Sequence, residues 1–275
     1  MLTSIGREFC PAKGMIIKMK LKEKVEKRLN IIGTHVNLID ANITEIFGKL
    51  GYDFIWVDLE HTRISMDSLY EHILAARSTG TPVVVRVPAD DLTVTKRALE
   101  IGVDGIVFPM VRDAEHAEKL LSWTLYPPYG ARGCGPKGAV SYGMDSEKEY
   151  YGKGHLEMCR FVQIELRSAA EDAERIAALP YLDGCVLGMH DLSGSIGRLG
   201  DILFCEENLA LAEHAIKAFS AREKSVGVST FATDAATLGK YKKMGINMIS
   251  TGADYEYIIR GARATLDIMK NEVRF

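Results

Sequence analysis

The sequence predicts an α/β fold, a closed (β/α)8 barrel of the TIM type. Three observations point there. Eight short runs rich in β-branched and aromatic residues alternate with longer amphipathic segments, the pattern of repeated βα units around a parallel sheet. The turn after the first run reads IDANITE and has no glycine, whereas an open nucleotide-binding sheet places a glycine-rich turn there. Ionisable residues gather at the C-terminal ends of several runs, the face on which barrels build their sites.

Taken in order, strands are expected at residues 31–38, 53–58, 82–87, 105–111, 160–166, 184–188, 225–230 and 248–252. Helices are expected at 42–50, 66–78, 92–101, 114–123, 169–179, 208–221, 234–244 and 254–270. Asp113 before Ala-Glu-His, and Ser168 opening an S-x-x-E box, supply oxygens that can cap helix N-termini. The stretch 126–157, with YPPYGARGCGPKG, lacks helical periodicity and is expected to be a long loop that forms or covers a site. Its second half, SYGMDSEKEYYGKGHLE, would then reshape the mouth. Residues 1–30 are expected to be a lead-in, its first dozen residues weakly ordered, and 31–275 the barrel with a C-terminal helix. Within the lead-in, the basic segment 18–28, relieved by Glu23 and Glu26, reads as a solvated helix.

A chain of 275 residues with 47% hydrophobic content can bury one sizeable core. A net charge of −3 gives no long-range attraction to nucleic acid or an anionic membrane, so the expected partners are small molecules. No apolar run reaches the roughly 20 residues that cross a bilayer, and the N-terminus lacks a signal-peptide stretch. Cys10, Cys134, Cys159, Cys185 and Cys205 are odd in number and show no CxxC or zinc spacing. They read as reduced core thiols of a cytoplasmic protein.

The second strand ends WVDLEH, presenting Asp58, Glu60 and His61, and the third ends VVVRVP with Arg86. The fifth ends VQIEL with Gln163 and Glu165; the sixth continues into VLGMHDLSGS with Gly188, His190 and Asp191. A carboxylate on a buried strand is costly unless compensated, so Glu165 either pairs with an internal arginine or lysine or, with Asp191, offers oxygens to a Mg2+- or Mn2+-like ion. Asp191 alone suits a turn cap. His61 fits a general base, a metal ligand or a plain loop residue. Arg86 fits recognition of a carboxylate or enolate oxygen, or a structural salt bridge. GARGCGPKG does not join a strand to a helix and reads as a tight loop, not a phosphate cradle. SIGRLGD could hug a ligand, and Ser250-Thr251-Gly252 lies where some barrels bind phosphate, without further phosphate-directed residues.

Together, WVDLEH, VVVRVP, GIVFPMV, YPPYGARG, VQIE and LGMHDLSGSIG, in this order, resemble the HpcH/HpaI aldolase and citrate lyase family, especially its 2-oxo-acid aldolase branch, over roughly residues 31–251. The resemblance implies a barrel of the phosphoenolpyruvate/pyruvate-binding type. It implies a class II aldolase that cleaves a 4-hydroxy-2-oxo acid to pyruvate and an aldehyde through a metal-stabilised enolate, with no Schiff-base lysine. By position, Glu165 and Asp191 become ligands of Mg2+, Mn2+ or Co2+, and His61 the acid/base group. Arg86 becomes the transition-state stabiliser, Gln163 a substrate or water contact, and the backbone around Gly188, His190 and Asp191 a cradle for the pyruvate carboxylate. Asp58 either orients His61 or is a structural strand-end acid. Glu100, in KRALEIG, matches a family aspartate linked to the catalytic histidine. It closes the helix before the fourth strand, at the far end of its own barrel, and so reaches only a neighbouring subunit's site. That implies a homo-oligomer, a hexamer with exchanged C-terminal helices in this family. Three departures stand out: Glu100 replaces the aspartate, Met189-His190 stands where Gly-Pro or a small residue is usual, and Leu166 replaces Thr or Ser. His190 would then contact substrate or add a ligand. The alternatives are a CoA-thioester lyase of malyl or citramalyl type, or a non-catalytic barrel that binds a small acid.

Overall fold

A computed structural model describes residues 19–199 and 205–274. Eight parallel strands close on themselves: β1 (Ile31–Val36), β2 (Phe54–Asp58), β3 (Val83–Arg86), β4 (Gly105–Phe108), β5 (Cys159–Ile164), β6 (Gly184–Leu187), β7 (Ser225–Thr230) and β8 (Met248–Ala253). Each pairs with its sequence neighbours, and β8 returns to β1. Around them run α2 (Asn42–Leu50), α3 (Met66–Thr79), α4 (Leu92–Ile101), α5 (Ala114–Ser122), α10 (Glu206–Ala221), α11 (Ala235–Lys243) and α12 (Asp254–Ile268), with shorter α1 (Leu21–Glu26), α6 (Glu147–Gly152), α7 (Arg167–Glu171), α8 (Ala173–Ala177) and α9 (Met189–Ser195). No helix among the described residues is long and apolar enough to cross a membrane.

Side chains of a strand alternate between two faces, and here the two faces build two cores. Outward residues such as Ile55, Val57, Val83, Val85 and Ile106 join the helices in the larger cluster. Inward residues Phe54, Trp56, Val84, Val107, Phe161, Val186 and Met248 fill the barrel itself. Each fully buried side chain of this size contributes about 1.5–3 kcal/mol. Gly33 belongs to this interior because the Phe54 ring lies across it: a Cβ there would fall 2.3 Å from the ring.

The lower end of the barrel is closed by α1, whose Leu21 and Val25 are buried in the interior cluster. The basic segment is therefore amphipathic, with an anchored apolar face, and not simply a solvated helix; the first 18 residues lie outside the described ones. One device repeats along the same rim. The residue just before each even-numbered strand accepts a backbone N–H from the preceding odd strand: Asp53 from Ile32 (2.9 Å), Asp104 from Val83 (2.9 Å), Asp183 from Arg160 (2.7 Å) and Asn247 from Val226 (2.9 Å).

Several sequence expectations need correction. The segment 126–157 follows α5 and leads into β5, so it crosses the lower end and does not lie over its own barrel's mouth. It holds two 3-10 turns and α6, and is pinned from within by Arg160, whose guanidinium donates to Thr124 Oγ1 (2.7 Å), Met158 O (3.0 Å) and His155 O (2.6 Å). Asp113 does cap α5, accepting from His116 N at 2.8 Å. Ser168 does not cap: it lies inside α7, and the expected helix 169–179 is split into α7 and α8. Cys159 and Cys185 are buried but Cys134 is exposed, so the thiols are not uniformly core; Cys10 is outside the described residues.

Candidate active site

The inward rows change character as they climb. Phe54 and Trp56 lead to Asp58, Val84 to Arg86, and Phe161 to Gln163 and then Glu165, so apolar packing gives way to a ring of polar groups at the C-terminal face. Above it opens a cavity of about 480 Å³ lined by Asp58, His61, Arg86, Gln163, Gly188, His190 and Asp191, with His35, Ser229 and Phe231 among those completing it.

Register places Asp58 beside Arg86 on neighbouring strands. The guanidinium donates Nε to Asp58 Oδ1 at 2.9 Å and Nη2 to Asp58 Oδ2 at 2.6 Å, and its Nε lies 3.4 Å from Glu60 Oε2. Burial pushes the Asp58 carboxyl up, but the Arg86 bonds outweigh it and the net shift is downward; the same pairing holds Arg86 above the usual guanidinium range despite its burial. The Asp58 carboxylate accepts from Arg86 and from the Glu60 N–H, and no hydrogen bond joins it to His61. It fixes Arg86, while Glu60 stands by His61, its Oε2 3.5 Å from Nε2, with His61 itself reaching into solvent.

Glu165 is buried at the end of β5. Its Oε1 accepts the Met110 N–H at 2.6 Å, and Met110 adopts the left-handed conformation (φ 53°). Such strain persists only where the surroundings fix it. Oε2 accepts from the Gln163 amide, whose own Oε1 is buried without a partner among the described contacts. Gly188 leaves room for this pair: a Cβ would fall 2.7 Å from Glu165 Oε2. Burial, aided by Asp191 and Glu60 and opposed by the Met110 bond and Arg86, pushes the Glu165 carboxyl up to about 7. Glu60 is likewise raised, first by burial. Among the described residues, the acids of the site outnumber its one arginine.

Asp191 sits in the first turn of α9, exposed to the cavity, and His190 beside it is exposed as well. Residues 189–195 are thus helix, where the sequence suggested a capped turn. Glu100 lines a separate groove with Arg97, Lys137 and Tyr142, away from this cavity. Thr251 Oγ1 is engaged by the Ala232 carbonyl, and SIGRLGD runs past the last described residue of its segment. Residues that sequence reasoning left without a role are Glu60, His35, Ser229 and Phe231.

The fold and site define a barrel enzyme with an acid-rich mouth around a fixed arginine. A family model for HpcH/HpaI aldolase/citrate lyase matches residues 32–261. The chain is 31% identical over 226 residues to a hydroxypyruvate/pyruvate aldolase of Chromohalobacter salexigens, covering 82% of this chain and 88% of that one. A crystal structure of an HpcH/HpaI aldolase/citrate lyase family protein from Burkholderia cenocepacia superposes with TM-score 0.84 at 28% identity, covering 93% and 99% of the two chains. The citrate lyase β subunit of M. tuberculosis, complexed with oxaloacetate and magnesium, shares the fold alone, with TM-score 0.51 at 17% identity, covering 82% of this chain and 92% of that one. The chain belongs to the HpcH/HpaI aldolase/citrate lyase family. It is an aldolase, a carbon–carbon lyase.

Proposed function

We propose that the enzyme cleaves, and in reverse forms, a 4-hydroxy-2-oxo acid from pyruvate and an aldehyde, using a divalent cation at Glu165 and Asp191. The observation that carries this is the state of Glu165: a buried carboxylate raised to about 7, beside Asp191 and Glu60, with an unpartnered Gln163 oxygen adjoining it. Excess negative charge in a desolvated pocket suits a cation. The described residues contain no cluster of three or more His, Cys, Asp or Glu that would enclose one. Two carboxylates with space beside them suit Mg2+, Mn2+ or Co2+, which take remaining ligands from water and substrate oxygens. Bound there, the cation would act as a Lewis acid on the 2-oxo group.

The chain's own residues supply the rest. Arg86, held by Asp58 through Nε and Nη2, keeps Nη1 for the oxygen on which negative charge develops as the enolate forms. Preorganisation by a bidentate carboxylate means that little reorientation is needed as the charge appears. His61, directly or through water, takes the proton from the C4 hydroxyl in cleavage and returns it in condensation. Gln163 contacts substrate or water, and the backbone around Gly188, His190 and Asp191 receives the pyruvate carboxylate. Glu100 works, on this reading, on the histidine of a neighbouring subunit. The exposed Ile258, Ile259, Leu266 and Ile268 of α12 support a homo-oligomer, a hexamer by family resemblance, because such a row is costly in water.

Deuterium exchange into the methyl group of pyruvate tests the reading without knowledge of the aldehyde. Exchange should require Mg2+, Mn2+ or Co2+, stop with EDTA and be abolished in Glu165→Ala. No exchange with any of these metals would overturn it.

A further inference from the structure

The proposed chemistry uses one side of the cavity, contributed by β2, β3, β5 and β6. The facing wall, from β1, β7 and the segment after β7, carries His35, Ser229 and Phe231 and has no assigned part. His35 is buried, with Nδ1 2.8 Å from the Gly252 carbonyl oxygen and Nε2 2.9 Å from Ser229 Oγ. A carbonyl only accepts, so Nδ1 carries the proton and Nε2 of the neutral ring is an acceptor. Ser229 must then donate to Nε2. With its proton committed, the hydroxyl shows the cavity its lone pairs. Burial is the main reason the His35 imidazole is held down at about 4, so the relay from Ser229 through His35 to Gly252 keeps one polarity across the neutral pH range. Trp56 and Phe231, each with its ring centre 5.5 Å from the imidazole, hold it in place.

Charge completes the picture. Among the described residues Arg86 is the only arginine or lysine lining the cavity, and Asp58 and Glu60 already engage it. We infer that Ser229, positioned by His35, accepts a hydroxyl from the aldehyde half of the substrate, which makes that partner an uncharged hydroxyaldehyde and not a semialdehyde bearing a second carboxylate. A hydroxyl can donate to Ser229. A carboxylate would oppose lone pairs with lone pairs in a cavity that Asp58 and Asp191 also line, and among the described residues of this chain that line it no lysine, and no arginine but the engaged Arg86, answers it. The inference rests on the aldolase reading above.

The test is condensation of pyruvate, by the Mg2+-loaded enzyme, with lactaldehyde, with propanal, which lacks only the hydroxyl, and with succinic semialdehyde. kcat/KM for lactaldehyde should exceed that for propanal by about tenfold or more, the difference lying mainly in KM, and the semialdehyde should be poorest. Ser229→Ala should bring the lactaldehyde-to-propanal ratio close to one. His35→Phe should narrow it similarly, and the double variant should go no further, a non-additivity that general structural damage would not produce. A wild-type preference for the semialdehyde, or an unchanged ratio in Ser229→Ala, would overturn the assignment, and the wild-type comparison needs no variant to fold. Pyruvate methyl exchange, read in the same samples, separates the failures. Exchange without hydroxyl preference removes the Ser229 subsite alone, whereas no exchange removes the aldolase reading and the subsite with it.

Discussion

The two ends of the barrel use the same residue types to opposite effect. At the lower end Asp53 and Asp183 each hold a strand N–H with one oxygen and a lysine of α1 with the other, at 2.6 Å for Lys24 and 2.5 Å for Lys22. At the upper end Glu165 and Glu60 are raised by burial and crowded by other carboxylates. Acids paired one to one with lysines hold the fold together; acids that crowd around a single arginine leave charge that a cation can neutralise. The lesson is that strand-end carboxylates are told apart by what answers them, not by burial: Asp104, bound to Val83 N with Arg77 near it, is also raised by its burial, yet the lower-end groove it lines already holds Lys20, Lys22 and Lys24 beside its acids.

Exchanging the answered and unanswered acids should separate activity from stability. Glu165→Gln keeps the shape and removes the charge, and turnover should fall by about a thousandfold, roughly 4 kcal/mol. The metal-free variant should nonetheless melt no lower than the wild type at pH 8. A folded carboxyl raised to about 7 gives stability that is complete below about 4.5 and is lost as the pH climbs through 7, so thermal scans from pH 5 to 8 should slope downward in the wild type and less in the variant.

His35, on the uncharged wall, should give the opposite slope. Its pKa is held down at about 4, so its contribution is present above 6.5 and lost as the pH falls toward 4. The loss amounts to about 3 kcal/mol at most, and His35→Phe should flatten that part of a pH–stability curve measured by urea unfolding. A smaller effect, about 2 kcal/mol, is expected for Asp183→Ala, which orphans the Arg160 N–H and leaves Lys22 unpaired. Its pyruvate exchange rate at 25 °C should stay within about twofold of wild type, since nothing at the mouth changes. Equal loss of exchange in Asp183→Ala and Glu165→Gln would erase the distinction between the two ends.

Much of this was legible in the sequence. All eight strands fall where β-branched runs predicted them, and α2 and α4 match their expected ends. Strands one, four and five were read two or three residues too long at their C-terminal ends, because apolar residues such as Leu38, Val111 and Leu166 continue the pattern after the backbone has left the ladder. The acid cluster was visible as strand-end residues. The Asp58–Arg86 pairing was not, since register between strands 28 residues apart leaves no local trace. Chain order alone places 126–157 below the barrel, as a segment entering a strand must. Period-two counting from Ile31 through Gly33 reaches His35, and from Gly227 reaches Ser229, so the second wall was also readable. It was overlooked because neutral residues do not announce themselves as carboxylates do.

The central claim is that Glu165 and Asp191 bind a catalytic divalent cation open to substrate. Mn2+ titration followed by water-proton relaxation measures this directly. One Mn2+ should bind per chain with fast-exchanging water, the enhancement should drop when pyruvate displaces that water, and Glu165→Gln should abolish the site. Undiminished Mn2+ binding in Glu165→Gln, or pyruvate exchange that proceeds fully in EDTA, would contradict the account.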